Sequence, residues 1–240
     1  MGGLSSTTKK LVCGLHLGDK ESWFCICTAE GAVVEEGKVR TTTAGLTQRF
    51  LSCAPMRIAL ETGTHSPWVS RLLSQWGHEV WVANPRKVRL IGNSRRKNDR
   101  LDARSLADLL SVRPRLLYPV QHVSAQAQTD RATLQARDAL VRARSGLINH
   151  VRGLVKSLGS RLPSCSAEAF AAKAKVAVPD GLAPALLPLL EQIAEMSRLI
   201  RSYDKQVLEL LRTSYPQAEE LRRQISGVGP ITALAFVLGL

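Results

Sequence analysis

The sequence predicts an α/β domain built on a mixed sheet, followed by an all-α segment with long coiled-coil helices. Three observations carry this expectation. Short apolar runs alternate with helical patterns over residues 10–83. From about Ser124 onward only helical periodicity remains. Between them lies Lys97-Asn98-Asp99-Arg100-Leu101-Asp102-Ala103-Arg104-Ser105-Leu106-Ala107, which sets two acids among bases at the start of an amphipathic pattern.

Taken in order, residues 10–17 are an apolar run closed by Gly18-Asp19, which suits a central buried strand. Residues 23–28 follow, Glu30-Gly31 supplies a turn, and residues 33–42 alternate as a third strand, so the opening reads as a three-strand meander. Thr43 is a fair N-cap for a helix over residues 44–51. Residues 57–61 (Arg-Ile-Ala-Leu-Glu) form a short buried strand that ends on an acid. Ser66-Pro67 opens a helix through Leu72, Leu73 and Trp76, with Pro at its first position. Gly77-His78 ends that helix, residues 79–83 form another buried strand, and Asn84-Pro85 stops it. The order β-β-β-α-β-α-β, then the Asp-bearing helix, implies one mixed sheet with helices packed on it. Ligand sites in such sheets lie beyond the carboxyl ends of strands, and His16 and Glu61 occupy two such ends.

In the helical segment, Leu140, Val141, Leu147, Ile148, Val151, Leu154, Val155 and Leu158 keep a three/four spacing. Arg137, Arg142, Arg144, Arg152 and Lys156 fall on the other faces. A Gly/Ser/Pro-containing break spans residues 159–166. A second long helix follows Pro184 or Pro188, with Ile193, Met196, Ile200, Tyr203, Val207 and Leu210 as a coiled-coil seam. The pair suits either an antiparallel hairpin within one chain or a dimerisation arm. Near the end, Gly227-Val228-Gly229-Pro230 places a Gly-x-Gly turn before a helix, a geometry able to hold a phosphate through backbone N–H groups. The chain stops at Leu240 inside an apolar helical pattern, which reads as a domain cut short.

The net charge is +13 with 45% hydrophobic residues. That balance points to nucleic acid or an anionic membrane as partner. No apolar run of about eighteen residues is present, and no signal-peptide core follows the Ser/Thr-rich start. Nucleic acid is therefore the expected partner, and a membrane is not. The five cysteines lack C-x-x-C spacing and read as small buried hydrophobes of a reducing cytoplasm. Cys25 and Cys27 are expected to share one strand face.

On a helix, Asp99 and Asp102 are i and i+3 neighbours whose carboxylates rise from one face. Leu101, Ala103, Leu106, Ala107, Leu109 and Leu110 supply an apolar side to dock it. Paired carboxylates in a basic surround can hold divalent cations while the bases hold phosphates, as metal-assisted phosphodiester chemistry requires. The bland alternative is a solvated helix start, where Asp is favoured by the macrodipole. Arg86, Lys87, Arg89, Arg95, Arg96, Lys97, Arg100 and Arg104 form a dense basic run beside the acids, and with Gly227 and Gly229 they are the expected nucleic-acid contacts.

Several motifs together carry a family resemblance. They are Gly14-Leu15-His16-Leu17-Gly18-Asp19, Ala59-Leu60-Glu61-Thr62-Gly63-Thr64-His65, Ala83-Asn84-Pro85-Arg86-Lys87 and Lys97-Asn98-Asp99-Arg100-Leu101-Asp102-Ala103. Ala136-Arg137-Asp138-Ala139-Leu140, Asn149-His150-Val151-Arg152-Gly153 and Gly227-Val228-Gly229-Pro230 complete the set. The chain resembles the insertion-sequence transposases of the "IS one-ten" family, the DEDD type with a RuvC-like N-terminal domain. The resemblance implies an RNase H-like fold and four acids, Asp-Glu-Asp-Asp, binding two divalent ions (Mg²⁺, with Mn²⁺ as the alternative). Glu61, Asp99 and Asp102 fall on the second, third and fourth positions, and His16 stands where the family has its first Asp. It also implies DNA as substrate, an element-encoded guide RNA in some members, a homo-oligomer through the long helices, and a C-terminal transposase domain beginning at the Gly-x-Gly hairpin. The expected organisation is a RuvC-like domain over residues 1–118, a helical segment over 119–215 and the start of the C-terminal domain over 216–240. Three functions are open: a transposase acting through a metal site, an impaired copy that only binds nucleic acid and oligomerises, or a RuvC-like junction nuclease acting alone, which needs four intact acids. His16 favours the second, and family ancestry the first.

Overall fold

The computed structural model describes residues 11–88 and 98–239. They form two compact units that meet in sequence between Val123 and Ser124.

In the first unit, β1 (Val12–His16), β2 (Glu21–Cys27), β3 (Val33–Arg40), β4 (Arg57–Glu61) and β5 (Glu79–Ala83) form one sheet in the order β3-β2-β1-β4-β5. β1 pairs antiparallel with β2, and β2 with β3, as hairpins allow; β1–β4 and β4–β5 are parallel. The two crossovers are helical, α1 (Thr43–Phe50) and α2 (Ser66–Gln75). The expected α/β mixed sheet, three antiparallel strands followed by two parallel ones, is therefore present. The cap of α1 is Thr42 rather than Thr43: its hydroxyl accepts from the Gly45 N–H at 3.1 Å. β3 accordingly ends at Arg40, two residues early, because Thr41 and Thr42 are committed to the turn.

Because side chains alternate along a strand, the sheet separates two cores. Cys13 and Leu15 of β1 and Ile58 and Leu60 of β4 face α1 and α2, with Phe50, Leu46, Val69 and Leu73. Val12 of β1 and Ala59 of β4 face the other way, against Ala103, Leu106, Ala107 and Leu110 of α3 (Asp99–Val112). His16 and Glu61 share the parity of Val12 and Ala59, so both point to the α3 side. Gly14 permits close docking there: a Cβ on it would sit 1.9 Å from the Ala103 carbonyl oxygen and 2.5 Å from the Ala107 nitrogen. Leu101, expected on the docking face, is exposed, since it lies opposite Ala103 and Leu106 on the helix. After α3 the chain returns across β5, where Asn84 N–H donates to Leu117 O and Val120 N–H to Val82 O, both at 2.9 Å. That return covers a sheet edge that would otherwise be open.

Cys25 and Cys27 do share a face, with sulfurs 3.6 Å apart, and burial pushes the Cys25 thiol up to about 12. Cys53 and Cys165 are only half-buried, so the expectation of five buried cysteines holds for three.

The second unit contains α4 (Ala125–Ser157), α5 (Phe170–Lys175), α6 (Ala183–Thr213), α7 (Pro216–Gln224) and α8 (Pro230–Val237). Ser124 caps α4 by accepting from Ala127 N–H. Arg137 pairs with Asp204 and Arg144 with Ser197, so position rises on one helix as it falls on the other. α4 and α6 are thus an antiparallel pair within the chain. The seam differs from the expected one in several places, and Met196, Tyr203 and Leu210 are only half-buried. Ser197 and Leu211, not Met196 and Leu210, complete the buried stripe of α6, and Leu158 is exposed past the end of α4. Arg144, expected on an outer face, is 5% exposed in the middle of the pair, donating to Ser197 Oγ and Glu168 Oε1, each at 3.1 Å. α6 starts at Ala183 with Pro184 in its first turn, and Pro188 is accommodated one turn further in.

Candidate metal centre

The site is assembled from three elements. Asn98 caps α3 by accepting from the Arg100 N–H at 3.1 Å, which starts the helix so that Asp99 and Asp102 share its first turn. Gly14 lets that turn lie against the end of β1. His16, the last residue of β1, then has its Nε2 3.4 Å from Asp99 Oδ1 and its Nδ1 4.0 Å from Asp102 Oδ2. One ligand-capable atom from each of the three lies within 4.8 Å of the others. Asp99 is the outer member, its side chain 47% exposed; Asp102 is the inner one at 16%.

Glu61 ends β4, one step beyond the Leu15–Leu60 register pair and therefore beside His16. Its Oε1 is buried without a hydrogen-bond partner among the described residues, as is His16 Nδ1. Burial pushes the Glu61 carboxyl above its ordinary range; the nearby His16 opposes that shift and the Asp102 carboxylate adds to it. His16, Asp99 and Asp102 therefore meet at one end of the sheet, with Glu61 beside His16. His16 and Glu61 open into a cavity of about 310 Å³, whose wall continues through Leu17–Asp19 and Thr62–His65. Ser66 secures the Glu61-bearing turn: its Oγ accepts from Gly63 N–H at 3.0 Å and lies 2.9 Å from His122 Nε2.

The donor set suits a divalent cation. Three carboxylates offer hard oxygens and His16 offers a ring nitrogen, and two of these atoms are buried and unpartnered. Imidazole is a better ligand for Mn²⁺ or other transition ions than for Mg²⁺. Asp19 does not replace the missing first Asp: it lies past β1 in the turn, with its side chain 90% exposed.

Four of the eight expected basic contacts fall among the described residues. Arg86, Lys87 and Arg104 are exposed. Arg100 is held by Glu36 of β3, which ties α3 to the sheet. Arg89, Arg95, Arg96 and Lys97 lie outside the described residues. In the second unit, Gly227 takes the left-handed conformation (φ +86°) and Gly229 precedes α8 as its N-cap.

A family model for DEDD transposases, of the IS110 type and described as a transposase, matches residues 13–159. This chain belongs to the DEDD insertion-sequence transposase family. Among curated relatives, this transposase-family chain is 30% identical to the transposase for insertion sequence element IS1328 of Yersinia enterocolitica, over 81% of this chain and 58% of that one. It is 31% identical to the putative transposase y4pF/y4sB of Sinorhizobium fredii, over 79% and 49%, and 28% identical to a probable family 20 transposase of Pseudomonas aeruginosa, over 78% and 56%. The chain spans about half the length of the curated relatives it matches. Among solved structures, T. thermophilus RuvC in complex with Holliday junction substrate matches at a TM-score of 0.33 and 13% identity, over 41% of this chain and 90% of that one. No helix among the described residues is long and apolar enough to cross a membrane.

Sequence reasoning named His16, Asp99 and Asp102, which the structure brings together, and Glu61, which it places beside His16. It missed His65, Trp68 and Asp19 as a set at the cavity mouth, since only tertiary contact joins them.

Proposed function

We propose that this chain carries the cation-binding, strand-handling part of an insertion-sequence transposase acting on DNA. Glu61, Asp99 and Asp102 hold a divalent cation, Mg²⁺ or Mn²⁺, with His16 as the nitrogen ligand at the position of the family's first Asp. The observation that carries this reading is the meeting of His16, Asp99 and Asp102 within 4.8 Å, with the unpartnered Glu61 oxygen on the same side of the sheet. When bound, the cation supplies Lewis-acid stabilisation of phosphoryl oxygens and a lowered pKa for the attacking hydroxyl. The residues do the rest. Asp102 and Glu61 supply the less exposed carboxylates of the site. The Arg100–Glu36 pair keeps the first turn of α3 in register with β1. The exposed Arg86, Lys87 and Arg104 contact the anionic strand, and Arg89, Arg95, Arg96 and Lys97 add to the positive charge of this stretch of sequence. Gly227 and Gly229 present backbone N–H groups to a second stretch of phosphate. DNA is the primary partner; an element-encoded guide RNA and a second copy of the chain joined through the long helices extend the family pattern.

His16 favours a second reading, a copy that binds nucleic acid with its chemistry impaired. An imidazole in place of a carboxylate removes one negative charge from the site and substitutes a donor that Mg²⁺ takes poorly. Calorimetric titration of Mg²⁺ and Mn²⁺ separates the two. In the chain as it stands, Mn²⁺ binds more tightly than Mg²⁺, and His16→Asp raises Mg²⁺ affinity by roughly tenfold or more, the scale of ligand-environment changes. Equal Mg²⁺ binding by the chain and His16→Asp would restore the active-enzyme reading. Mn²⁺ binding that survives Asp102→Asn unchanged would remove the metal centre itself.

A further inference from the structure

The mouth of the carboxylate cavity carries a second group of polar side chains. His65 lies on the cavity wall with Glu61 and His16. The Trp68 indole Nε1–H donates to His65 Nδ1 at 3.1 Å, with the rings edge-on at 87°. An indole nitrogen can only donate. His65 Nδ1 must therefore be the bare, accepting nitrogen, and the ring proton of neutral His65 sits on Nε2. Nε2 faces Asp19 Oδ1 at 3.6 Å, beyond hydrogen-bond length, and Asp19 is 90% exposed and free to turn into solvent. The wall is thus asymmetric: Glu61 Oε1 and His16 Nδ1 lie unpartnered within it, and His65 holds an oriented N–H at its rim.

We propose that His65, locked in one tautomer by Trp68, is a phosphate-contacting residue: its Nε2–H takes a non-bridging oxygen of a nucleic-acid strand entering the cavity, displacing Asp19. The reading rests on the metal centre proposed above and names a contact for its substrate. A phosphodiester brings only acceptors and one negative charge, so three carboxylates alone would repel it. A Lys or Arg at this position would pair with Glu61 or Asp19 on the same wall. A neutral donor fixed by an indole remains available to the strand, and a hydrogen bond to a charged oxygen is among the stronger kinds.

The test uses the whole chain, a short oligothymidylate and its uncharged methylphosphonate counterpart. Long-range ¹H–¹⁵N correlation shows His65 as the Nε2–H tautomer; in Trp68→Phe, which keeps the ring and removes the donor, the tautomers mix. The oligothymidylate shifts the His65 Nε2 resonance and the methylphosphonate does not. His65→Phe weakens binding about five- to tenfold, the scale of one such hydrogen bond, and His65→Gln, whose amide nitrogen reaches the same place, stays within about twofold. The slope of log affinity against log salt is the same in both variants and the parent, because the donor is neutral. A drop in slope of about 0.7 in His65→Phe, the signature of one lost cationic contact on a single strand, overturns the neutral-donor assignment. An Nδ1–H tautomer, or a His65 resonance unmoved by bound oligothymidylate, overturns the proposal. Mn²⁺ binding separates the two readings. A chain that binds no cation yet shifts His65 with the strand loses the metal centre and keeps this contact; one that binds Mn²⁺ with His65 silent does the reverse.

Discussion

At the scale of single residues, Glu61 shows how a site of this kind opposes stability. Its carboxyl is pushed up by burial, so the folded chain holds a proton more readily than the unfolded one. Between the ordinary Glu pKa of about 4.3 and the raised folded value, stability falls as pH rises, because the charged form is the one burial penalises. Cation binding runs the other way and needs the charged form. Without added cation at neutral pH, Glu61→Gln is expected to stabilise the chain by roughly 1 kcal/mol, the low end for relieving a buried unpaired polar group, while cation binding is lost. Thermal melts with and without Mn²⁺ check this: the parent gains stability on Mn²⁺ addition and the variant does not. A variant melting below the parent in the absence of cation would mean that Glu61 is satisfied by a partner in the metal-free fold.

At the scale of elements, the contact between β1 and α3 places the acids. The Gly14 position has no room for a methyl group, and the atoms in the way are helix backbone, which cannot rotate aside. Gly14→Ala is expected to lift α3 off β1, to cost about 3 kcal/mol, the upper part of the overpacking range, and to abolish cation binding with the carboxylates intact. Urea unfolding and Mn²⁺ titration read the two effects; full Mn²⁺ affinity in a folded Gly14→Ala chain would contradict the close docking. In the helical unit, Arg144 offers the complementary test. Its partner Glu168 has a side chain 56% exposed and Ser197 already donates to Ile193 O, so neither is stranded if the guanidinium goes. Arg144→Met, which fills the same space, is expected within about 1 kcal/mol of the parent or above it. Arg144→Ala, which leaves a cavity, is expected to cost about 2 kcal/mol. Two equal losses would show that the charge, not the volume, holds α4 to α6.

At the scale of the whole molecule, the charge of +13 governs association. Affinity for duplex DNA is expected to fall with salt at a slope of about −0.9 per phosphate neutralised. Replacing the exposed Arg86 and Lys87 by Ala should flatten that slope by up to about 1.8 if both touch phosphate. Arg100→Ala should change it less, since its guanidinium already belongs to Glu36. Filter binding between about 50 and 200 mM salt is sufficient. Affinity indifferent to salt over that range would exclude the basic surface as the binding face.

Much of the architecture could be read directly. Short apolar runs with the right punctuation marked β4 and β5 to the residue, and helical spacing alone put Asp99 and Asp102 together on one turn. That His16 and Glu61 end two strands was also legible; that they share a face follows from the β1–β4 register. The errors lie where local pattern leaves a choice. Leu101 and Leu158 satisfied an apolar count yet face solvent, and Arg144 is buried where α6 and the turn before α5 bring Ser197 and Glu168 to it. The depth of Gly14 beneath α3, the tautomer-setting bond from Trp68 to His65 and the capture of Arg100 by Glu36 were decided by tertiary structure alone. Each depends on the distance between elements far apart in the chain, and hydrophobic periodicity states which face is buried but not which backbone or polar partner it will meet.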